Sequence, residues 1–183
     1  MNEIYETKTR VPDTNAVCID IAKYSTKPVI ASHSNPDHFV NITRNISDEA
    51  IVAIAKTDGV VAINFLGGWH NKDGDASPEA LAKSVNYIAE HISQETEKNG
   101  RLHTGFGSDY IHTYEETLNF TIRNPDKFNP ENGYASITEM AFAIDAWGVA
   151  KVLEEQYGWE EKEIRGFLGE NLLRVFKANW ING

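Results

Sequence analysis

Three short apolar runs punctuate the chain, and longer stretches with helical spacing separate them. The runs are PVIAS at 28–32, VVAINFL at 60–66 and LHTGFGS at 102–108. Continuous apolar stretches of this length predict strands of a parallel sheet buried on both faces. Between the first two, Ser47 is a good N-cap, and Asp48 and Glu49 stand in the first turn, where the helix dipole favours acids. Ile46 and Ile51 form a hydrophobic staple there, and Gly59 is expected to end the helix in a left-handed cap. Ser77-Pro78 opens the next helix, with Leu81, Val85, Ile88, Ala89 and Ile92 on one face. Asn99-Gly100 closes it. The middle of the chain thus reads strand, helix, strand, helix, strand, which implies parallel pairing and right-handed crossovers.

The flanks are less regular. Residues 1–15 read as an irregular lead-in and residues 16–24 as a short helix, with one α/β domain spanning 16–183. Residues 110–135, with Pro125, Pro130 and Gly133, read as a long irregular loop, of a length usually tied to function or disorder. Ser136-x-x-Glu139 forms a capping box expected to start a helix running to about Gln156. Two further helices, over 160–167 and 170–180, close the chain.

Composition narrows the function classes. At 183 residues the chain can bury a proper core. A formal net charge of −10 opposes binding to nucleic-acid phosphates, which relies on clustered Lys and Arg. Cys18 is the only cysteine, so a Cys-rich zinc site and an intrachain disulfide are excluded, and Cys18 is expected in the core. No apolar stretch has signal-peptide or membrane-spanning length, so the expected location is the cytoplasm. The glycosylation-type triplets at Asn41, Asn45 and Asn119 then read as chance matches.

Polar residues gather where the runs end. The first run leads into Ser32-His33-Ser34-Asn35, with Arg44-Asn45 following, and the third ends on Gly107-Ser108-Asp109. In parallel α/β folds ligands bind beyond the carboxyl ends of the strands. From position alone, His33 is a metal ligand, a catalytic base or a hydrogen-bonded structural histidine. Asp109 is a functional acid or the cap of a turn, and Arg44 a carboxylate clamp or a solvated surface charge. Trp69-His70, at another strand end, either lines a pocket or belongs to a plain surface loop. Asp73-x-Asp75 lacks the glutamate a calcium loop needs, and Gly105-x-Gly107 lacks the third glycine of a dinucleotide site.

Taken in order, PVIASHSN, RNISDEAIVAIAKTDGVVAINFL, GFGSDY and GFLGENLLRVFKANW resemble the C-terminal half of the membrane (renal-type) dipeptidases over roughly residues 16–180. These are zinc metallopeptidases with a TIM-barrel fold. The resemblance implies that His33 is a ligand of a two-zinc centre. It implies that Arg44 holds the dipeptide carboxylate and that Asp109 handles the proton of the attacking water. The residue types suit these roles, since imidazole suits zinc and a guanidinium fork suits a carboxylate. The family's first-strand His-x-Asp pair and its bridging glutamate have no counterpart here. The position 21 residues before His33, where the family has a second zinc histidine, is Pro12.

A complete eight-stranded barrel takes about 250 residues. The expectation is therefore a partial TIM-type (β/α) barrel with a parallel βαβαβ core followed by C-terminal helices. Its two-zinc site is incomplete, its substrate is a dipeptide, and its activity alone is absent or nearly so. A non-catalytic half-barrel that binds or assembles, with another copy or with a missing N-terminal half, is the competing expectation.

Overall fold

In the computed structural model, which describes residues 14–129 and 138–180, the three runs form one parallel sheet in the order β1-β2-β3. The strands are β1 (Ile30–Ala31), β2 (Val60–Ile63) and β3 (Thr104–Phe106). Ile30 pairs with Val60, and Val61, Ala62 and Ile63 pair with Thr104, Gly105 and Phe106. The crossovers are α2 (Asp48–Lys56) and α3 (Pro78–Glu95), and α1 (Thr14–Tyr24) precedes β1. After β3 come α4 (Tyr114–Arg123), α5 (Ala146–Tyr157), α6 (Glu161–Arg165) and α7 (Asn171–Trp180). The expected βαβαβ order is present.

The central strand sorts its side chains by alternation. Val61, Ile63 and Phe65 join the main core, with Ile51 and Ile54 from α2 and Leu81, Val85, Ile88 and Ile92 from α3. Each fully buried Ile or Leu stabilises the fold by roughly 2 kcal/mol. Val60 and Ala62 are just as buried but serve the other side of the sheet. A Cβ placed on Gly105 would lie 3.0 Å from Val60 Cγ1, 3.4 Å from Ala62 Cβ and 3.5 Å from Leu172 Cγ of α7. The C-terminal helix therefore closes over the face turned away from α2 and α3.

That helix is also fastened to the amino ends of all three strands. Asn171 Nδ2 donates to the Thr104 carbonyl at 2.8 Å, Arg174 to Asp58 O at 2.6 Å and Leu102 O at 2.9 Å, and Asn179 to Pro28 O at 3.2 Å. The opposite ends of the strands are left to loops.

At those opposite ends both outer strands carry one residue too many. Val60 N donates to Val29 O, so a regular parallel ladder would bring the His33 amide to the Ala62 carbonyl; Ser34 N makes that bond instead, at 2.7 Å. Likewise Gly107 N donates to Ile63 O, yet Phe65 N reaches Ser108 O, at 3.2 Å, rather than Gly107 O. These are bulges at 32–33 and at 107–108, and a bulge bends its strand and re-aims side chains. The bends bring the two tips together across β2. A Cβ on Gly107 would stand 1.8 Å from the Ser32 carbonyl oxygen, so only glycine fits there.

Several expectations are corrected. The left-handed residue ending α2 is Asp58, at φ 62°, rather than Gly59. Gly59 is required for another reason, because its Cβ would sit 2.0 Å from Val29 O. β1 is half-buried rather than buried on both faces. The loop expected over 110–135 contains the ten-residue helix α4. The capping-box serine, Ser136, lies outside the described residues, and no long helix starts at Glu139. Instead Met140 forms an antiparallel bridge with Leu66, and helix begins only at the 3-10 turn Ala143–Asp145. α6 and α7 follow the expected pattern, joined by a π turn over Gly166–Glu170.

Gly107→Ala is expected to destabilise the protein by about 1–3 kcal/mol, the usual cost of overpacking. Urea unfolding of the variant beside the wild type measures this, and unchanged stability would mean that the tips do not touch.

Candidate active site at the carboxyl ends of the strands

Each strand-end loop supplies one part of the site. The loop after β1 is cinched at its base by Ile46 N to Asn35 O (2.8 Å) and Asp37 N to Ile46 O (2.9 Å). Asn35, fully buried, donates to Asn64 Oδ1 at 2.9 Å and accepts the Asn64 amide at 3.1 Å, which locks the loop to the tip of β2. On its outer side the His38 ring stacks on Tyr87 at 4.2 Å, and the Tyr87 hydroxyl donates to Asp48. Burial, aided by Asp48, raises the pKa of Asp37 in this cluster.

Arg44 rides on that loop. Its guanidinium lies 4.7 Å from the centre of the Trp69 ring, in a cation–π arrangement. Its Nη2 stands 3.9 Å from Asp109 Oδ2. Asn45, buried behind it, donates to Val40 O at 2.8 Å and Trp69 O at 2.9 Å, so one amide group ties the arginine loop to the tryptophan turn. Asp109 follows the bulge in β3 with φ 53°, in the left-handed region that aspartate tolerates.

His33 lies on the tip of β1, and no hydrogen bond or ion pair among the described residues joins it to this pair. Its ring is exposed, and Nδ1 meets Ser32 Oγ at 2.7 Å. In the tautomer whose Nδ1–H donates to Ser32, Nε2 carries the lone pair that a metal would need. The structure thus joins Arg44 with Asp109 and holds His33 on the adjoining tip, whose carbonyl abuts Gly107.

Trp69 and His70 are not a plain surface loop. Trp69 is buried beneath Arg44, and position alone did not distinguish that role. His70 is a structural pin. Its Nε2–H donates to Asn64 O at 2.7 Å, and Nδ1 accepts from the Ser84 hydroxyl at 2.8 Å. Burial pushes its pKa down to about 4, partly opposed by the Asn64 carbonyl. His103, lowered likewise by burial, pairs with Gly59 O at the amino ends of the strands.

The donor set for a metal is incomplete. Among the described residues no group of three or more His, Cys, Asp or Glu is placed to hold a metal ion. Catalytic zinc takes three protein ligands, and the resemblance offers one candidate, His33, among the described residues. The residues present do not fit a complete centre. No helix among the described residues is long and apolar enough to cross a membrane.

Comparison with known proteins identifies the family. Residues 14–121, more than half of the chain, match the family model of the membrane dipeptidases, peptidase family M19. The chain belongs to that family. An uncharacterized protein from the pqqA 5′ region of Klebsiella pneumoniae is 31% identical over 161 residues, covering 88% of this chain and 50% of that protein. An uncharacterized dipeptidase of Schizosaccharomyces pombe is 30% identical over 135 residues, covering 71% of this chain and 31% of that protein. This member of the family therefore spans half or less of the length of these curated relatives.

Solved structures agree on the fold. An amidohydrolase from Pseudomonas aeruginosa superposes with a TM-score of 0.67 at 23% identity, covering 88% of this chain and 49% of that one. A Rhodobacter sphaeroides metallopeptidase bound to a phosphinate mimic of L-Ala-D-Ala gives 0.58 at 22% identity, covering 89% and 39%. The three-stranded parallel sheet of this dipeptidase-family chain is thus a part of an M19-type barrel fold.

His70 gives a pH test. Its folded pKa of about 4 lies below the value of about 6.5 in an unfolded chain, so the stability from its neutral form is complete above pH 6.5. That stability, about 3 kcal/mol, is lost as the pH falls through 4, because the unfolded state takes up the proton first. Urea unfolding at pH 7 and pH 4 should show a smaller loss for His70→Gln than for the wild type. Equal losses would contradict a neutral, fully paired His70.

Proposed function

We propose that this chain is the carboxylate-binding half of an M19-type dipeptidase site: Arg44 takes the substrate carboxylate, Asp109 handles a proton at the scissile peptide, and His33 offers one metal ligand. The observation that carries the reading is the Arg44–Asp109 pair, 3.9 Å apart, held over Trp69 at the convergence of three strand-end loops. A guanidinium fork suits a carboxylate bidentately. An ion pair this long and this exposed contributes little stability, so a substrate carboxylate can displace or join it. A carboxylate next to the bound peptide can accept a proton from water and return it to the leaving amine, which is general base and acid work.

In the family, zinc supplies an activated water and polarises the peptide carbonyl. The described residues do not complete such a centre, so what this chain brings is carboxylate binding, orientation and the Asp109 carboxylate, without turnover of its own. Accordingly the purified chain should bind dipeptides in an Arg44-dependent way and turn over none of them, even with added zinc. Isothermal titration or ligand-observed NMR should show a loss of about tenfold or more for Arg44→Met, the weight of a charge-assisted hydrogen bond, and a similar loss for a dipeptide amide. Robust hydrolysis by the 183-residue chain would overturn the inactive reading. Binding indifferent to Arg44 and to the free carboxylate would overturn the site.

A second reading, a non-catalytic assembly protein, is favoured by surface apolar residues. Val17, Ile21 and Tyr24 on α1 and Leu173 and Trp180 on α7 are exposed, and β1 and β3 each have one side without a strand partner among the described residues.

A further inference from the structure

Beside Asp109 lies a cavity of about 410 Å³, lined by Tyr110, Tyr114, Met140 and Phe142, with Glu115 and Glu116 among its polar residues. Its walls are tied to the tips of β2 and β3. Tyr110 follows Asp109 directly. The segment bearing Met140 and Phe142 is stitched to β2's tip by Gly67 N to Glu139 O at 2.9 Å and Ala141 N to Phe65 O at 3.0 Å. The start of α4 is fixed to the same segment by the Tyr114 hydroxyl, which donates to Thr138 O at 3.0 Å. The Tyr110 and Phe142 rings meet at 5.6 Å, yet they remain 47% and 56% exposed. Two aromatic rings standing open in a fixed cavity are surface that a ligand's apolar group would cover.

We infer that this cavity receives the side chain of the amino-terminal residue of the dipeptide, and that it selects large apolar or aromatic residues and rejects acidic ones. The inference rests on the reading that Arg44 takes the substrate carboxylate. The order of groups sets the polarity. Arg44 contacts Asp109, and Asp109 adjoins Tyr110 and the cavity. A dipeptide spans about 7 Å when extended. With its carboxylate on Arg44, its peptide bond falls near Asp109 and its amino-terminal residue beyond, at the cavity. Among the described lining residues there is no lysine or arginine, and Glu115 and Glu116 stand against a single histidine, His112. Their charge favours the free ammonium group and opposes a carboxylate side chain.

The test is ligand-observed NMR titration of the full chain with Gly-Gly, Phe-Gly, Gly-Phe and Glu-Gly, each also against Arg44→Met. Phe-Gly should bind about tenfold or more tightly than Gly-Gly, from burial of its ring. Gly-Phe should gain little, and Glu-Gly should bind more weakly than Gly-Gly. Phe142→Ala should abolish the difference between Phe-Gly and Gly-Gly, and Glu115→Gln with Glu116→Gln should lift Glu-Gly to the Gly-Gly level. Equal binding of Phe-Gly and Gly-Gly, with both still dependent on Arg44, overturns the cavity assignment and leaves the carboxylate site intact. A gain for Gly-Phe instead of Phe-Gly overturns the polarity. Absence of any Arg44-dependent binding overturns the carboxylate site itself, and the cavity inference falls with it.

Discussion

The Ala62 carbonyl and the Phe65 amide lie at the carboxyl end of a fully buried strand, where an unpaired backbone group would cost about 1–3 kcal/mol. Each finds a partner on an outer strand, Ser34 N on one side and Ser108 O on the other. Each partner comes one residue later than regular pairing would supply. The extra residues at 32–33 and 107–108 cannot stay in the plane of the sheet, so both tips bend, and the Ser32 carbonyl comes to rest where a side chain at 107 would be. The site follows from this. His33 is lifted out by one bulge, Asp109 follows the other, and the loop between β1 and α2 carries Arg44 back across β2 to meet Asp109.

The two ends of the sheet are treated differently. At the amino ends, Asn171, Arg174 and Asn179 of one helix satisfy carbonyls before or within all three strands. At the carboxyl ends no helix among the described residues takes that place. Beyond the Ser34 and Ser108 bonds, asparagines join the segments there, with Asn35 and Asn64 paired to each other and Asn45 bridging two turns. Side-chain amides can both donate and accept, which lets them join irregular segments that no ladder connects. The result is a rigid base and a loop-built rim held to it by a few buried polar contacts.

Much of this was legible in the chain. The strand and helix order came from apolar runs and from caps such as Ser47 and Ser77, whose hydroxyls accept from Ala50 N and Ala80 N as expected. His33, Arg44 and Asp109 stood out because each lies at or just beyond the end of a run. What sequence reasoning missed was decided by tertiary contacts. Residues 114–123 bury no side chain, and Thr113 makes no cap hydrogen bond, so α4 carries no core stripe and no N-cap, only the acids Glu115 and Glu116 in its first turn. The helix expected to start at the Ser136-x-x-Glu139 box is absent at Met140 because that residue is taken up by Leu66 at the tip of β2. Trp69 offered only an aromatic residue after a Gly-Gly break, and nothing local says that an arginine 25 positions earlier lies over its ring.

Two arginines stacked on tryptophans mark the difference between holding the fold and leaving a site open. Arg101, 5.3 Å from the Trp159 ring, binds Glu163 at 2.7 Å and also donates to the carbonyls of Tyr157 and Gly158. Burial works to raise the Glu163 pKa, but the Glu160 amide, Arg101 and Asn99 together hold it below the usual carboxylate range. That guanidinium is spent on structure. Arg44 has the same aromatic support and hydrogen-bonds no described residue; its one acid is 3.9 Å away and more than a third exposed. Stability alone does not account for Arg44, because a pair of that length and exposure contributes little. A guanidinium kept in place by a ring beneath it, with its donors unused by any described residue, is the arrangement that leaves binding capacity for a carboxylate from outside the chain.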